Sequence, residues 1–292
     1  MIRALFLTSR PLSWVNTAFP FAAAYVMTTR DVDATLIVGT LFFLIPYNFA
    51  MYGINDVFDY QSDLRNPRKG GLEGALLDPR WHRLVLWLSG ILALPFVVYL
   101  VVVGNPASWI ALAVSLFAVV AYSAAGLRFK ERPFLDSVTS STHFVSPAIV
   151  GLLLAGATFT PALFALLAAF FLWGAASHAF GAVQDVVADR EGGIASIATV
   201  IGARRTVRLS VALYLLAGIL LLATEWPGQL AAVLALPYAV NAAGWWRVTD
   251  ETAPTVNRGW RRFLWLNFLT GFGVTMLLIA YALLQPVAPC SC

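Results

Sequence analysis

The chain has few charged residues and almost no cysteine. Charged residues make up 12% of its 292 residues, and there are only two cysteines, Cys290 and Cys292. Two thiols separated by a single serine cannot form a disulfide framework, and they supply too few ligands for a structural metal site. We therefore interpret the pair as part of a terminal tail, and we exclude the class of small secreted domains that disulfides stabilise.

Apolar residues, by contrast, are abundant and occur in long runs. They make up 60% of the sequence, and the mean hydropathy is +0.77. Runs of about 20 apolar residues recur from end to end, and each matches a hydrocarbon layer of about 30 Å. We predict an all-α polytopic membrane protein with nine transmembrane helices in a single domain, residues 1–292. The predicted spans cover residues 11–29, 35–55, 82–103, 107–124, 138–157, 160–183, 206–224, 228–247 and 262–284.

The basic residues lie almost entirely on one side of this predicted bundle. The pI of 9.3 is compatible with nucleic acid or anionic lipid as a partner, but of the 19 basic residues only Arg30 lies on the face opposite the amino terminus. By the positive-inside rule, we expect a cytoplasmic amino terminus and an outside carboxyl terminus. Most acidic residues share the cytoplasmic side, so we predict a cell-membrane protein with cytoplasmic active-site loops and no nucleic-acid partner.

The first polar cluster follows the second predicted span, in the segment Asn-Asp-Val-Phe-Asp-Tyr-Gln-Ser-Asp. Asn55, Asp59 and Asp63 are spaced by four residues, which places them on one helix face with about 6 Å of rise between neighbours. Asp56 lies about 100° away around the helix. Carboxylates inside a membrane are costly, about 2.5–3.5 kcal/mol each at a helix centre. We therefore expect a cationic partner for this cluster.

A second polar cluster follows the sixth predicted span. Asp185 and Asp189 are again four residues apart, Gln184 lies beside them, and His178 lies two turns earlier on the face of Asp185. The equivalent placement of the two clusters indicates a weak internal repeat with halves of roughly residues 1–136 and 137–292. Two facing helix ends of this kind would present one amide and four carboxylates to a shared cavity.

Mg²⁺ is the cation that fits these groups best. It prefers hard oxygen ligands, and it commonly binds a few carboxylates together with waters and substrate phosphate oxygens. The two clusters therefore predict a metal-bridged diphosphate site with Mg²⁺ as cofactor. The alternative is that the aspartates are ordinary helix-end residues on a solvated face, but their occurrence in two equivalent places favours the metal site.

Basic residues occur in the same loops as the carboxylates and can supply counter-charge to a diphosphate. Guanidinium groups grip phosphate oxygens with two hydrogen bonds, and lysine acts as a point charge. Membrane topology alone also explains basic loops, so individual contacts with substrate stay open, with Arg128, Lys130 and Lys69 as the first candidates. The residues concerned are Arg65, Arg68, Lys69, Arg190, Arg128 and Lys130, together with Tyr122 in the same loop as the last two.

Several other residues in the spans and loops are each compatible with a functional and a structural role. His143 in the fifth span and His178 in the sixth are ionisable groups at membrane depth, which usually face the interior of a bundle. Each can orient an acceptor or remove a proton, or can be a neutral residue of helix packing. The glycine pairs 70–71 and 192–193 permit a tight turn or a close approach to phosphate, and the sequence does not decide between these roles.

Taken together, these motifs resemble the UbiA superfamily of intramembrane prenyltransferases. That family has nine helices, an N-D-x-x-D-x-x-x-D motif after the second and a D-x-x-x-D motif after the sixth. Its Tyr-Ser loop between spans four and five is matched by Tyr122, Ser123, Leu127, Arg128 and Lys130, whereas Ala125 and Gly126 replace two prolines. The segments 66–71, 177–185 and 193–199 are similar to the lycopene elongase branch of the family.

The resemblance implies a fold, a reaction and a set of site residues. It implies that Asn55, Asp59, Asp63, Asp185 and Asp189 hold Mg²⁺ on an allylic diphosphate. Within the elongase branch it further implies that a terminal double bond of lycopene attacks the cation derived from dimethylallyl diphosphate. The new cation then loses a proton or captures water, and repetition at the other end gives a fifty-carbon carotenoid. Both substrates would enter the site from the lipid bilayer or from its surface.

Three other functions compete with this one. The nearest is a prenyltransferase of the same superfamily that acts on an aromatic acceptor of quinone, chlorophyll or haem synthesis. A secondary transporter also has paired repeats with carboxylates, but it would bury them at the midplane rather than at the cytoplasmic helix ends. A CDP-alcohol phosphotransferase uses Mg²⁺ as well, but its D-G-x-x-A-R spacing is missing from the sequence.

Overall fold

The computed structural model describes residues 2–64 and 76–284, apart from the side chains of Ile2, Ser62 and Asp63. Within this part of the chain the regular structure consists only of helices. The helices are α1 (Ile2–Thr8), α2 (Trp14–Thr29), α3 (Ala34–Leu44), α4 (Pro46–Phe58), α5 (Tyr60–Asp63), α6 (His82–Val103), α7 (Pro106–Ser123), α8 (Leu135–Leu154), α9 (Pro161–Val183), α10 (Val186–Glu191), α11 (Ile197–Ile201), α12 (Ala203–Leu221), α13 (Ala232–Ala243) and α14 (Asn257–Leu284). The expectation of an all-α fold is confirmed.

Six of these segments are long and apolar enough to cross a membrane. They are Ala34–Phe58, Pro79–Val103, Pro106–Ser123, Leu135–Leu154, Pro161–Val183 and Ala253–Leu284. The predicted spans near residues 11–29, 206–224 and 228–247 also contain helices, namely α2, α12 and α13. The helix α2 is 16 residues long and α13 is 12, which is shorter than the approximately 20 residues that a straight crossing needs. The number of nine spans therefore stays a prediction.

Two long helices begin with a polar cap followed directly by proline. Asn105 accepts hydrogen bonds from the backbone N–H groups of Ala107 and Ser108, and Pro106 is the first residue of α7. Thr160 accepts from the N–H of Leu163 in the same way before Pro161 opens α9. A cap of this kind satisfies N–H groups that have no partner inside the helix, and proline costs nothing at the first position.

The chain divides into two compact units. The first consists of the chain up to Thr158 together with Ala188–Ser196, and the second of Phe159–Val187 together with the chain from Ile197 onward. In the first unit α2 packs against α3 and α8, α7 packs against α8, and α4 packs against α6. Its core contains the rings of Phe21, Phe42 and Phe43, which are fully buried.

A proline break in the first unit sets the course of the helix that carries the first motif. Pro46 lacks an N–H group, so the chain ends α3 at Leu44 and restarts as α4. The carbonyl of Phe43 accepts instead from Asn48 Nδ2 at 2.8 Å and from Thr17 Oγ1 at 2.7 Å. These bonds satisfy a buried polar group inside the core, and they fix α4 against α2.

The second unit has a core of its own. The helix α12 packs against α9 and α13, and α14 packs against α13 and α9. Tyr214 and Tyr238 are almost completely buried and stack with ring centroids 5.4 Å apart. Their hydroxyl groups have partners, Ser177 for Tyr214 and Asn267 for Tyr238, as buried phenols usually do.

Candidate functional site

The first motif places an amide and a carboxylate side by side at the end of α4. Asn55 lies in the last turn of α4, and Asp59 follows directly after the helix as its C-cap residue. Asn55 Nδ2 donates to Asp59 Oδ2 at 2.7 Å and to Ser123 Oγ, at the end of α7, at 2.9 Å. The predicted proximity of Asn55 and Asp59 is confirmed, but α4 ends at Phe58, so the predicted continuous helix from Asn55 to Asp63 does not form. Asp63 follows in α5, but its side chain lies outside the described residues.

Two basic residues of the loop after α7 converge on Asp59. Lys130 Nζ forms an ion pair with Asp59 Oδ1, and Arg128 Nη2 lies 3.8 Å from the same oxygen. Only 6% of the Asp59 side chain is exposed, and a buried carboxylate requires a compensating charge. The structure therefore brings together the first carboxylate and the basic loop, whereas contact of Arg128 and Lys130 with substrate stays a prediction.

An acidic residue that sequence reasoning missed completes this loop. Glu131 accepts hydrogen bonds from Nε of Arg128 at 2.7 Å and from its Nη2. The Arg128 guanidinium holds the pKa of Glu131 below its ordinary value of 4.5, and the same hydrogen bond raises the pKa of Arg128. The Arg-x-x-Glu spacing in a short 3-10 turn was the available signal, because residues three apart face each other in such a turn.

Asp56 is oriented toward the amino-terminal segment. Its side chain is fully buried, and Arg10 Nη2 donates to its Oδ1 at 2.9 Å. Arg10 has φ of 48°, in the left-handed region, immediately before Pro11, and its guanidinium lies 4.4 Å from the ring centroid of Tyr52. Sequence analysis assigned Arg10 only to membrane topology. No local pattern links residues that are 46 positions apart, so this pair was not predictable. The contact of Asp56 with substrate stays a prediction.

A cavity of about 140 Å³ adjoins this cluster inside the first unit. His143, on α8, is 3% exposed, and its ring meets the ring of Tyr122 edge to face with centroids 5.3 Å apart. Asn55 is also part of the wall, so the cavity opens onto the first motif. The residues that line it are Arg10, Met51, Tyr52, Asn55, Tyr122, Ser140, His143 and Phe144.

In the second unit the residue before the second motif is held by α14. The helix α9 ends at Val183, and Gln184 and Asp185 form a turn before α10 begins at Val186. Asn257 Nδ2, at the start of α14, donates to Gln184 Oε1 at 2.7 Å, and Gln184 Nε2 donates to the carbonyl of Gly181 at 2.9 Å. Both ends of the Gln184 amide thus have partners within the protein. Sequence reasoning did not identify Asn257, whose contact spans 73 positions.

The remaining residues of the second cluster lie on separate elements. His178 is partly exposed on α9, and Asp185 is partly exposed in the turn that follows. Asp189 lies on α10, so one continuous helix from His178 to Asp189, as expected from spacing, does not form. Gly193 has φ of 69° and ends α10, since the N–H of Ile194 bonds the carbonyl of Asp189 at 2.8 Å. The second glycine pair therefore makes a tight turn.

Some predicted site residues lie outside the part of the chain that the structure describes. These are Arg65, Arg68, Lys69 and the first glycine pair, and also Cys290 and Cys292. Their predicted roles are unchanged by the structure.

The donors that are present fit a magnesium ion shared with a substrate. Within the described residues, no group of three or more His, Cys, Asp or Glu side chains is placed to hold a metal by itself. Mg²⁺ does not need such a cage, because it usually binds one or two carboxylates and completes its shell with waters and phosphate oxygens. Asp59 beside Asn55, with a cavity next to them, is a donor set of this type.

Solved structures with the same fold include two archaeal proteins. One is a UbiA homolog from Archaeoglobus fulgidus bound to DMAPP and Mg²⁺, with a TM-score of 0.66, 19% identity, and coverage of 91% of this chain and 98% of that one. The other is the apo form of a UbiA homolog from Aeropyrum pernix K1, with a TM-score of 0.67, 17% identity, and coverage of 90% and 97%.

Curated relatives are more similar in sequence. A lycopene elongase/hydratase of Corynebacterium glutamicum is 53% identical over 96% of this chain and 97% of its own length. The C(50) beta-cyclic carotenoids biosynthesis protein LbtBC of Dietzia sp. is 56% identical over 96% of this chain and 65% of its own length. A lycopene elongase/hydratase of Halobacterium salinarum is 33% identical over 84% of this chain. The model of the UbiA prenyltransferase family matches residues 17–269, and the chain belongs to that family.

Proposed function

We propose that this prenyltransferase transfers a dimethylallyl group from dimethylallyl diphosphate to lycopene, as a step of C50 carotenoid biosynthesis. The observation that carries the proposal is the 53% identity to a lycopene elongase/hydratase over nearly the full length of both chains. The similarity to a protein of C50 carotenoid biosynthesis in Dietzia sp. supports the same acceptor. No comparable observation favours an aromatic acceptor or a transporter.

The carboxylates of the two motifs are proposed to hold Mg²⁺. Asn55, Asp59 and Asp63 would contribute from the first motif, and Asp185 and Asp189 from the second. The metal, when bound, neutralises the diphosphate and makes it a better leaving group. The donor pair of Asn55 and Asp59, 2.7 Å apart, supports the first half of this assignment.

Basic side chains of the chain are proposed to bind the diphosphate. Arg128 and Lys130 are adjacent to Asp59, so phosphate oxygens held there would lie within reach of both cations. Charge-assisted bonds of this kind strengthen as the leaving group becomes more negative, which favours departure over ground-state binding. Further contacts are proposed for Arg65, Arg68, Lys69, Tyr122, His178, Gln184 and Asp56.

The site is proposed to open to the cytoplasm, with the amino terminus inside and the carboxyl terminus outside. The distribution of arginine and lysine supports this orientation through the positive-inside rule. A diphosphate would then arrive from the aqueous side, whereas lycopene, a long hydrocarbon, would enter from the bilayer. Exclusion of water around the allylic cation is required for transfer to the acceptor.

Mass spectrometry of pigments from a lycopene-producing host that expresses the chain tests this function. We expect products larger than lycopene by one and two five-carbon units. The variant Asp59→Asn is expected to insert normally and to lose Mg²⁺-dependent turnover by about 100-fold or more, because it removes the buried charge of the first motif. The variant Asp78→Asn is a matched control, since Asp78 is half exposed and pairs only with Arg80 among the ion pairs described.

The outcome that contradicts the proposal is equally specific. If membranes containing the wild-type chain consume an aromatic acid and an allylic diphosphate but leave lycopene unchanged, the acceptor is aromatic. If Asp59→Asn retains wild-type turnover, the metal assignment fails while the acceptor assignment stands.

A further inference from the structure

The reaction proposed above ends with a cation that must be neutralised. When a double bond of lycopene attacks the allylic cation, one carbon–carbon bond forms and a positive charge moves to a tertiary carbon of the acceptor. An alkene product requires that a neighbouring carbon then lose a proton to a base. The identity of that base rests on the proposed function, because only a prenyl transfer to an alkene creates this cation.

The wall of the cavity beside Asn55 contains one ordinary base. Arginine is permanently protonated, tyrosine and serine hydroxyls are weak bases, and an amide has no basic nitrogen. Of the residues that line this cavity, only His143 carries an imidazole, the side chain that most often acts as a general base in enzymes. The nearby carboxylate of Asp56 is engaged with Arg10 at 2.9 Å and is fully buried.

The position of His143 suits a reaction in which water is kept away. Its side chain is 3% exposed, so it faces the protein interior and the cavity rather than solvent. The edge-to-face contact with Tyr122 fixes the plane of its ring. Asn55, in the same wall, belongs to the motif that is proposed to hold the diphosphate end of the donor. One cavity is therefore lined both by a residue of the proposed donor site and by His143.

We propose that His143 is the catalytic base that ends the transfer. An imidazole nitrogen removes a proton from a carbon next to the tertiary cation, and the electrons of that C–H bond form the new double bond. The imidazolium then returns the proton to solvent before the next cycle. The rival base is the departed diphosphate itself, which requires no protein side chain.

The test compares product partition in the wild type, His143→Gln and Thr142→Ala. Purified enzyme in lipid receives lycopene, dimethylallyl diphosphate and Mg²⁺, and liquid chromatography with mass spectrometry separates alkene from alcohol products. We expect His143→Gln to lower the rate of alkene formation by about 100-fold and to raise the share of alcohol formed by water capture. Thr142→Ala changes the residue next to His143 on α8, which does not line the cavity and whose hydroxyl donates to the carbonyl of Val138 in its own helix, so its partition is expected to match the wild type.

Two further measurements separate catalysis from folding. Binding of dimethylallyl diphosphate in the absence of lycopene should change by less than about twofold in His143→Gln, since the base acts after the donor has been cleaved. For His143→Ala, added imidazole should restore alkene formation in part, which a residue that only packs would not allow. If either variant fails to bind dimethylallyl diphosphate, His143 has a role in donor binding or folding, and its assignment as a base is overturned.

The outcomes also distinguish this inference from the function on which it rests. If the wild type elongates lycopene and His143→Gln gives the same rate and partition, the diphosphate or another group is the base and the inference is wrong. A wild-type product that is only alcohol overturns it as well. If the wild type does not elongate lycopene at all, the proposed function fails first.

Discussion

Asp59 shows how single residues share the charge of this site. Its carboxylate is 6% exposed and is met by Lys130 and Arg128, while Asn55 donates to its second oxygen. These contacts supply the compensating charge and hydrogen bond that a buried carboxylate requires. If Asp59 binds a divalent cation as proposed, the basic residues that now offset its charge would be available to phosphate oxygens.

The pair of Arg128 and Glu131 should make part of the stability acid-sensitive. Because the pKa of Glu131 is lower in the folded protein than its ordinary value of 4.5, its contribution is complete above about pH 4.5 and is lost as pH falls through the folded value. Both side chains are partly exposed, which limits the effect to about 0.3–1 kcal/mol. Thermal unfolding at pH 6 and pH 3.5 should therefore differ less in Glu131→Gln than in the wild type.

The control for this prediction is Glu225→Gln. Glu225 accepts a hydrogen bond from the Tyr281 hydroxyl at 2.8 Å in the second unit, whereas Arg128 and Glu131 belong to the first unit. Its substitution should leave the acid dependence assigned to Glu131 in place. An equal pH dependence in Glu131→Gln and the wild type would show that the ion pair does not contribute.

The contact between α9 and α14 should position the second motif. Asn257 and Gln184 form one hydrogen bond of 2.7 Å, and a residue that orients a metal-binding neighbour typically changes affinity by about 10–100-fold when it is removed. We expect Asn257→Ala to weaken Mg²⁺-dependent binding of dimethylallyl diphosphate by about tenfold. Titration calorimetry measures this directly, without turnover.

A double-mutant cycle tests whether the effect passes through Gln184. If Asn257 acts on Gln184, the variant Gln184→Ala and the double variant should bind the donor equally weakly, because the second substitution has nothing left to disrupt. If the losses of donor affinity in the two single variants add up in the double variant, Asn257 and Gln184 act independently. The control is Asn267→Ala. Asn267 lies in α14 like Asn257, but it accepts a hydrogen bond from Tyr238 of α13 and does not contact Gln184 through the bond described.

The close packing of α2 against α3 depends on a glycine in α3, because a Cβ atom at that position would collide with a ring of α2. A Cβ atom at Gly39 would lie 2.1 Å from Cζ of Phe21, and Phe21 is fully buried against Phe43 with centroids 5.2 Å apart. The ring would have to shift within a packed core, so Gly39→Ala should destabilise the protein by about 1–3 kcal/mol. Thermal unfolding in detergent measures the change.

A matched glycine lies in α6. A Cβ at Gly90 would have no heavy atom within 4 Å, and alanine favours a helix over glycine by up to about 1 kcal/mol. Gly90→Ala should thus leave the melting temperature unchanged or raise it slightly. Equal destabilisation by both substitutions would mean that the close contact at Gly39 relaxes at no cost.

Local patterns predicted the elements well, because they depend on residues near one another in the sequence. Each predicted apolar span contains a helix, and the spacing of Asn55 and Asp59 gave their contact. The break between α3 and α4 follows from Pro46. This local signal was overlooked because the apolar run was long enough to be predicted as one span. The pairs of Arg10 with Asp56 and of Asn257 with Gln184 had no such signal, since each joins distant elements whose packing a hydropathy pattern does not specify.

At the scale of the whole molecule, the distribution of charge makes a prediction about orientation. The predicted nine crossings would place the amino terminus inside and the carboxyl terminus outside, with the loop of Arg128 and Lys130 in the cytoplasm. An alkaline phosphatase fused to the carboxyl terminus should therefore be active, whereas a fusion after Arg132 should be inactive. An inactive carboxyl-terminal fusion would indicate an even number of crossings and correct the predicted nine.

The salt bridge between Arg10 and Asp56 has a consequence for shortened versions of the protein. An amino-terminal deletion that removes Arg10 would strip the guanidinium from a fully buried carboxylate next to the first motif, and loss of one partner of such a pair typically costs about 3–5 kcal/mol. The first ten residues therefore contribute to the stability of the segment that carries the first motif, and deleting them should destabilise the protein more than their number suggests.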